Sequence, residues 1–232
     1  MRILGLIPAR GGSKGIPNKN RKKLNGKPLL LYTIQAALNA KLLDRVVFSS
    51  EDETLRTLAK EAGAAVPFVR PERFAQDDSG SLEVVQHALT ALSDQGDSFD
   101  AVCLLQVTTP FRTSEDIDQA IETFKSGNTD SLLSVIEVPH EYNPHWVFEV
   151  AHDGILQLAT GEKKPIKRRQ ELPPAFIRDG SIYLTKTEVL LKGNSLYGDR
   201  IGYVQSNPAR HVNIDTMEDW RRAEQLAKKL NL

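Results

Sequence analysis

The chain has 232 residues, 40% of them hydrophobic, which is enough to bury one full core. Its 30 basic residues balance 30 acidic ones, and this neutral charge argues against a nucleic acid as partner. The N-terminus turns polar after residue 9 and no apolar run reaches the roughly 18 residues of a membrane span. We therefore expect no secretory signal, no membrane contact and a cytoplasmic location.

Strands and helices are predicted to alternate along most of the chain. The predicted strands are residues 2–8, 45–49, 65–69, 100–106, 131–137, 181–185 and 200–205. The predicted helices are residues 28–41, 52–63, 80–93, 114–126 and 215–229. This alternation is typical of an α/β fold with a mainly parallel sheet and helices on both faces. The single Cys103 lies in an apolar run and is predicted to be a core residue.

The first predicted strand runs into a loop rich in glycine and cations. Arg10, Lys14 and Lys19 place three positive charges within ten residues, and glycines at 11, 12 and 15 let the backbone turn its N–H groups towards an anion. Apolar residues at helical spacing follow from position 29. The loop is therefore predicted to bind phosphate, although its spacing matches neither the Walker loop nor the dinucleotide-binding loop.

Residues 138–178 interrupt the alternation. Five prolines punctuate this stretch, and the segments 146–150 and 154–158 are predicted to pair as a β-hairpin across His152-Asp153-Gly154. We predict a single domain over residues 1–232, with residues 138–178 projecting from it to contact another subunit or to cover a site.

Ligands of an open parallel sheet bind at the carboxyl ends of its strands. Four places after predicted strands are rich in polar and charged residues: residues 10–20, 104–112, 168–176 with 178–183, and 213–215. The segments Ile7-Pro-Ala-Arg-Gly-Gly-Ser-Lys-Gly-Ile-Pro-Asn-Lys-Asn20, Leu104-Leu-Gln-Val-Thr-Thr-Pro-Phe-Arg112 and Ile214-Asp-Thr-Met-Glu-Asp219 are the most distinctive.

In this order, these segments resemble the acylneuraminate cytidylyltransferase family. The resemblance covers nearly the whole chain and implies a Rossmann-like nucleotidyltransferase fold with a projecting β-hairpin dimerisation segment. It implies transfer of CMP from CTP to the anomeric hydroxyl of a sialic-acid-like nine-carbon sugar acid, with release of pyrophosphate. It further implies Mg²⁺ or Mn²⁺ as cofactor and a homodimer in which one subunit completes the sugar site of the other.

The resemblance also implies roles for individual residues. The implied nucleotide-binding residues are Ala9, Arg10, Gly11, Gly12, Ser13, Lys14, Lys19, Asn20 and Arg70. The implied sugar-binding residues are Gln106, Thr108, Asp179 and, from the partner subunit, Arg169 and Gln170. Arg10, Lys14, Lys19 and Asp215 carry the catalytic roles, and Asp215 is the implied metal ligand.

Several of these residues have a simpler alternative. Asp215 is also suited to capping the last helix, and Arg70 to an ordinary surface position. Arg169 belongs to a basic run that can be merely solvated. Many family members carry Asp-Ile-Asp before the last helix, where this chain has Asn213-Ile-Asp215, so the metal site is expected to have one carboxylate.

Two functional alternatives remain open at this point. A related nucleotidyltransferase that moves GMP or another nucleoside monophosphate onto a sugar phosphate would use the same kind of loop. The second alternative is a family member that binds nucleotide without catalysing transfer. Asn213, which stands where many members have an acid, is the feature that suggests it. The sugar itself is of the N-acylneuraminate, legionaminate or pseudaminate type. Trp146 favours a deoxy, diacylated sugar if it stacks on the substrate, but it suits a dimer interface equally well.

Overall fold

The computed structural model describes all residues from Met1 to Leu232. Its strands are β1 (Ile3–Pro8), β2 (Lys23–Leu24), β3 (Lys27–Pro28), β4 (Arg45–Ser49), β5 (Ala101–Leu105), β6 (Ser131–Glu137), β7 (Phe148–Val150), β8 (Leu156–Leu158), β9 (Phe176–Lys186) and β10 (Ile201–Gln205). Its α-helices are α1 (Leu29–Asn39), α2 (Glu53–Glu61), α3 (Ser81–Ser93), α4 (Ser114–Ser126), α5 (Thr187–Leu191) and α6 (Met217–Lys229). None of these helices has both the length and the apolar character needed to cross a membrane.

Six strands form one sheet in the order β10-β6-β9-β5-β1-β4. The pairs β1–β4, β1–β5 and β6–β10 are parallel, whereas β9 is antiparallel to both of its neighbours, β5 and β6. The carboxyl ends of the parallel strands therefore share one edge of the sheet with the beginning of β9. This edge gathers the loops that carry most of the predicted site residues.

Helices cover both faces of the sheet, as predicted. Alternate residues of β5 point to opposite faces, so Ala101, Cys103 and Leu105 join one apolar cluster and Val102 and Leu104 join the other. The larger cluster also contains residues of α1, α2, α4 and α6, and the smaller one contains residues of α3 and α5. Strands buried on both faces read as continuous apolar runs, which explains why β1 and β5 were recognisable in the sequence.

One predicted strand is absent, and two predicted elements form with different bounds. No strand forms at residues 65–69, where Ala65 makes only an isolated bridge to Val47 and Pro67 cannot donate to a ladder. The predicted strand 181–185 is the second half of the longer β9, and α5 follows it at once. The last helix begins at Met217, because Thr216 and Asp219 form a capping box in front of it.

The predicted hairpin forms as the antiparallel pair β7–β8. We call residues 138–178 the arm. Its side chains are mostly exposed, including Val150, Ile155 and Leu156, and Leu158 is its buried apolar residue. The Trp146 indole N–H donates to the Ile166 carbonyl at 2.6 Å, which joins the two flanks of the hairpin. The arm as a dimerisation segment stays a prediction.

Candidate active site

The loops at the carboxyl edge of the sheet enclose a cleft of about 350 Å³. Residues from the loops after β1, β5 and β10 line it. Nine residues predicted from the sequence to bind nucleotide, sugar or metal lie together on its wall: Ala9, Arg10, Gly12, Ser13, Lys19, Asn20, Gln106, Thr108 and Asp215. The topology explains this grouping, because β5 and β1 are adjacent in the sheet and end at the same edge.

Arg10 and Lys14 both point to one carboxylate. The Asp77 carboxylate lies 2.7 Å from Arg10 Nη1 and 2.7 Å from Lys14 Nζ. The hydrogen bond from Lys14, followed by that from Arg10, holds the pKa of Asp77 below its usual range. Both cations therefore bind the same carboxylate. Two cations that converge on one anionic group are also suited to binding a phosphate.

Lys19 connects the first loop to the loop before α6. Its side chain is only 11% exposed, and its Nζ donates to the Ile214 carbonyl at 2.6 Å and to Asp215 Oδ1 at 3.1 Å. Gly15 lies against the same segment so closely that a Cβ there would be 2.2 Å from the Asp215 carbonyl oxygen. Only glycine permits this close approach. The contact between the two segments places Lys19 and Asp215 on one wall of the cleft.

Asp215 does not cap the last helix. Thr216 is the N-cap residue, and the Asp215 side chain is 62% exposed towards the cleft. Its Oδ2 accepts a hydrogen bond of 2.7 Å from Asn213 Nδ2, so the amide that replaces the second acid orients the remaining carboxylate. The capping alternative for Asp215 is therefore wrong.

Arg70 is buried rather than exposed at the surface. Its Nη2 donates to the Ala9 carbonyl at 2.9 Å and to Glu51 Oε2 at 2.6 Å, and Glu51 Oε1 accepts from the Gly11 N–H at 2.6 Å. Arg70 and Glu51 thus hold the first turn of the glycine-rich loop. Arg70 also lines an adjoining cavity of about 260 Å³, together with Arg10 and Asp77. The surface alternative for Arg70 is wrong.

Glu51 received no role from the sequence. It stands two residues after β4, at the carboxyl end of a parallel strand, so the rule that located the other loops would also have selected it. Asn20 completes this support, because its Nδ2 donates to the Arg10 carbonyl at 2.8 Å. Asn20 itself is buried, whereas Ser13 and Gly12 present open surface to the cleft.

Arg112 holds the end of β5, and its buried position was not anticipated. Its guanidinium donates to Ser181 Oγ at 3.0 Å, to Thr33 Oγ1 at 2.8 Å and to the backbone carbonyl of Gln106. Burial lowers the pKa of Arg112 to about 10, so it remains charged at neutral pH. The sequence carried a signal in the run Thr108-Thr-Pro-Phe-Arg112, which leaves a buried strand with a cation at its end.

A second cavity of about 430 Å³ adjoins the cleft and shares Gln106, Asn213 and Asp215 with it. Its remaining wall comes from β6, the beginning of β9 and the loop after β10, with Ile136, Ile177, Arg178, Asp179, Gly180, Tyr183 and His211. Gly180 has a φ of +77°, and a Cβ there would be 3.3 Å from Gln106 Oε1. A glycine at this position therefore leaves room for the Gln106 amide.

Asp179 is brought to this second cavity by the reversed direction of β9. Its side chain is 1% exposed, and its Oδ1 accepts hydrogen bonds from Ser134 Oγ at 2.5 Å and from the Ser181 N–H at 2.9 Å. The other oxygen, Oδ2, is buried without a hydrogen-bond partner. Thr108, by contrast, supports the cleft through its backbone, because its carbonyl accepts from the Ile214 N–H at 2.8 Å.

Arg169 and Gln170 lie on the arm and line neither of these two cavities. Both side chains are exposed, and Arg169 borders a separate hollow at the base of the arm with Glu137 and His140. Trp146 is also on the arm, where its ring lies 6.3 Å from that of His140. The structure of one chain therefore does not bring these residues to the cleft of that same chain.

The cleft offers one carboxylate, that of Asp215, to a divalent cation. No group of three or more His, Cys, Asp or Glu side chains is arranged to hold a metal ion. Mg²⁺ is commonly bound through one or two carboxylates, with phosphate oxygens and water as the other ligands. The exposed Asp215 carboxylate is the only acidic side chain that lines the cleft. It has the charge and the oxygen donors for such a site.

A mainly parallel α/β fold in which a basic glycine-rich loop and a carboxylate line the same cleft defines a nucleotidyltransferase-like class of protein. The cytidylyltransferase family model matches residues 4–231. The chain belongs to the cytidylyltransferase family, and the resemblance seen in the sequence is confirmed.

Relatives of known name agree with this assignment. The CMP-N,N'-diacetyllegionaminic acid synthase of Legionella pneumophila is 34% identical over 97% of this chain and 96% of its own. The pseudaminic acid cytidylyltransferase of Campylobacter jejuni is 33% identical over 98% of this chain and 97% of its own. The chain thus aligns with the full length of both relatives.

The fold also has solved counterparts. A CMP:2-keto-3-deoxy-manno-octonic acid synthetase complexed with CTP superposes with a TM-score of 0.73 at 15% identity, covering 99% of this chain and all of that one (100%). At this identity the likeness concerns the fold alone. It confirms the predicted Rossmann-like architecture with a mainly parallel sheet.

Proposed function

We propose that the protein transfers CMP from CTP to the anomeric hydroxyl of a nonulosonic acid and releases pyrophosphate. The observation that carries this proposal is that the basic loop, Gln106 and Asp215 line one and the same cleft. Full-length relatives named for the activation of legionaminic and pseudaminic acids support the same reaction.

The phosphates of CTP are proposed to bind at Arg10, Lys14 and Lys19. A triphosphate placed there replaces the Asp77 carboxylate as the partner of Arg10 and Lys14, which are 34% and 77% exposed and free to follow it. The nucleoside is assigned to the adjoining cavity beside Arg70. Backbone groups of Gly11 and Gly12 complete the anion site.

The sugar acid is proposed to bind in the second cavity, next to Gln106 and Asp179. Ile136 and Ile177 give this cavity an apolar wall beside its polar groups, which suits an acylated or deoxygenated sugar better than a fully hydroxylated one. We assign the substrate to the diacylated nonulosonic acids, of legionaminic or pseudaminic type. Trp146 is not part of this argument because it lies on the arm.

A magnesium ion is proposed to bind Asp215 together with the triphosphate. When bound, it neutralises charge that develops on the phosphates during transfer. Asn213 and Lys19 orient the Asp215 carboxylate for this contact. Manganese, which takes the same oxygen donors, is the alternative cation.

The functional unit is proposed to be a homodimer in which the arm of one subunit covers the sugar site of the other. Arg169 and Gln170 would then meet the partner's substrate, and the planar fork of Arg169 suits the carboxylate of the sugar acid. The position of both residues outside their own cleft supports this arrangement.

The test is a pyrophosphate-release assay with CTP, ATP, GTP and UTP, each combined with N-acetylneuraminic, legionaminic and pseudaminic acids. We expect turnover with CTP and a diacylated acid, and dependence on Mg²⁺. Lys14→Ala should lower kcat by about 100-fold or more, as removal of one preorganised donor does elsewhere. The exposed Lys23→Ala serves as a matched control with wild-type activity.

Preference for GTP with a sugar phosphate would replace this proposal with the related transferase reaction. Nucleotide binding without pyrophosphate release, across all three acids and both metals, would favour a non-catalytic member instead.

A further inference from the structure

His211 stands between two cavities of different size. On one side it lines the large cavity that also contains Gln106, Asn213 and Asp215. On the other side it borders a small polar cavity of about 20 Å³ with Asp179, Arg112 and Arg210. Its imidazole makes no side-chain hydrogen bond, and 20% of the side chain is exposed. The sequence assigned it no role, because none of the other four histidines lies at metal-ligand spacing from it.

One ring nitrogen of His211 lies near a carboxylate oxygen that has no hydrogen-bond partner. His211 Nδ1 lies 3.9 Å from Asp179 Oδ2, the buried oxygen that has no hydrogen-bond partner. A buried carboxylate oxygen left without a donor costs free energy, so a donor is required there. The small cavity has room for one water, and either that water or a shift of about 1 Å joins the two groups.

A hydrogen bond between these groups, direct or through a water, would determine which imidazole nitrogen carries the proton. With Asp179 as acceptor, the hydrogen is on Nδ1, and Nε2 keeps its lone pair. Burial lowers the pKa of His211; Asp179 opposes that effect and Arg222 adds to it. The ring is therefore neutral at pH 7, with one nitrogen able to accept a proton. Carboxylate-held histidines of this kind act as general bases in many enzymes.

We propose that His211 accepts the proton of the sugar hydroxyl that attacks CTP, and that Asp179 is the positioning residue that holds its imidazole. The inference rests on the proposed function. The hydroxyl oxygen forms a bond to the α-phosphorus while the bond from that phosphorus to the pyrophosphate oxygen breaks. Pyrophosphate leaves with the electron pair, and the hydroxyl proton passes to Nε2 of His211.

The charged groups around His211 fit this role. Asp179 comes from β9, Arg222 from α6, Asp116 from α4, and Arg112, Arg210 and Asp215 from the loops. Asp116 already accepts a hydrogen bond of 2.9 Å from Arg210 Nη2. Arg112 already donates to the hydroxyls of Ser181 and Thr33 and to the Gln106 carbonyl. Asp179 is thus the acid left for His211 Nδ1.

The experiment compares His211→Gln, His211→Ala and Asp179→Asn with wild type in the pyrophosphate-release assay, using the full-length protein. Lys23→Ala, at an exposed position outside the arm, is the control. We expect His211→Gln to lower kcat by about 100-fold or more, while the KM for CTP changes less than about twofold. The fall of kcat/KM at acid pH should disappear, and added imidazole should partly restore His211→Ala. Asp179→Asn should lower kcat and displace the acid limb of the profile.

Two results would overturn the inference. One is a His211→Gln variant with more than half of the wild-type kcat and an unchanged pH profile. The other is a loss of kcat that imidazole does not restore and that is accompanied by loss of CTP binding or of the folded state in calorimetry. The wild-type rate in the same assay tests the proposed function separately, because it does not depend on any substitution of His211.

Discussion

Single side chains near the cleft divide into those that are exposed at its edge and those that hold the loops. Lys14 and Asp215 are exposed at the cleft edge, whereas Glu51 and Arg70 are withdrawn and hold the backbone of the first turn. Loss of an exposed group should affect turnover without unfolding the protein. Loss of a withdrawn group leaves its buried partner without a hydrogen bond, and that costs about 1–3 kcal/mol of stability.

Asp215 and Asp219 provide a matched pair for testing the metal. Asp215→Asn should sharply lower kcat and raise the Mg²⁺ concentration needed for half-maximal rate, because it removes the carboxylate charge at the cleft. Asp219→Asn weakens the capping box of α6 and should lower the free energy of unfolding by about 0.5–2 kcal/mol without changing the Mg²⁺ requirement. Magnesium titrations and thermal unfolding of both variants measure these effects. An Asp215→Asn enzyme with the wild-type titration would show that another acid holds the metal.

At the scale of elements, α3 forms one wall of the cavity to which we assign the nucleoside. Its His87 packs between the rings of Phe68 and Phe74, with ring centroids 5.2 and 5.3 Å away. Its Nδ1 is buried without a partner. Burial lowers the pKa of His87, and the nearby Arg70 and Arg73 lower it further, so the imidazole is neutral in the folded protein.

This environment predicts a loss of stability in acid. The unfolded chain takes up a proton on His87 near its ordinary pKa of 6.5, whereas the folded chain resists protonation. The contribution to stability is therefore complete above pH 6.5 and declines as the pH falls below it towards the lower folded-state pKa. The measurement is the free energy of unfolding in urea at pH 7.5 and at pH 5.5. The difference between these two values should be smaller in His87→Phe than in wild type. In His152→Phe the difference should equal that of wild type. Equal differences in all three proteins would contradict this account.

The sequence predicted those elements whose pattern is local. The apolar runs of β1 and β5 and the residues at their carboxyl ends were sufficient to group Arg10, Lys19 and Gln106 in one cleft. The direction of β9 was not accessible in this way, because it depends on pairing with β5 and β6, which lie far away in the chain. The juxtaposition of Asp179 and His211 follows from that direction, so it too required the three-dimensional structure.

At the scale of the whole molecule, the arm is the part that a single chain leaves without support. Phe148, Val150 and Ile155 are 49%, 70% and 66% exposed on a two-stranded hairpin, which is marginal in water by itself. An apolar surface of this kind marks an interaction site. The proposed homodimer would account for both this surface and the position of Arg169.

Mixing two inactive variants tests this arrangement. Lys14→Ala impairs the cleft and Arg169→Ala impairs the arm, so each variant alone should be nearly inactive. In a mixed dimer, the intact cleft of one subunit meets the intact arm of the other. An equal mixture, exchanged in mild denaturant and refolded, should recover about a quarter of wild-type activity, since half of the dimers are mixed and each has one complete site. Pyrophosphate release and light scattering measure the outcome. A monomer by light scattering, or no recovery on mixing, would contradict a shared site.

The close contact between the glycine-rich loop and the segment before α6 also governs when the site comes into existence. Lys19 and Ile214 are separated by 195 positions, and Gly15 packs on the Asp215 backbone. After the first 200 residues have been synthesised, the basic loop and most of the sheet exist. Ile214 and Asp215, which Lys19 contacts, have not yet been made. Since chains are synthesised from the N-terminus, a nascent or prematurely terminated chain lacks an assembled cleft. Nucleotide capture is therefore delayed until translation is nearly complete, and fragments lacking the C-terminal helix are not expected to compete with the finished protein for CTP.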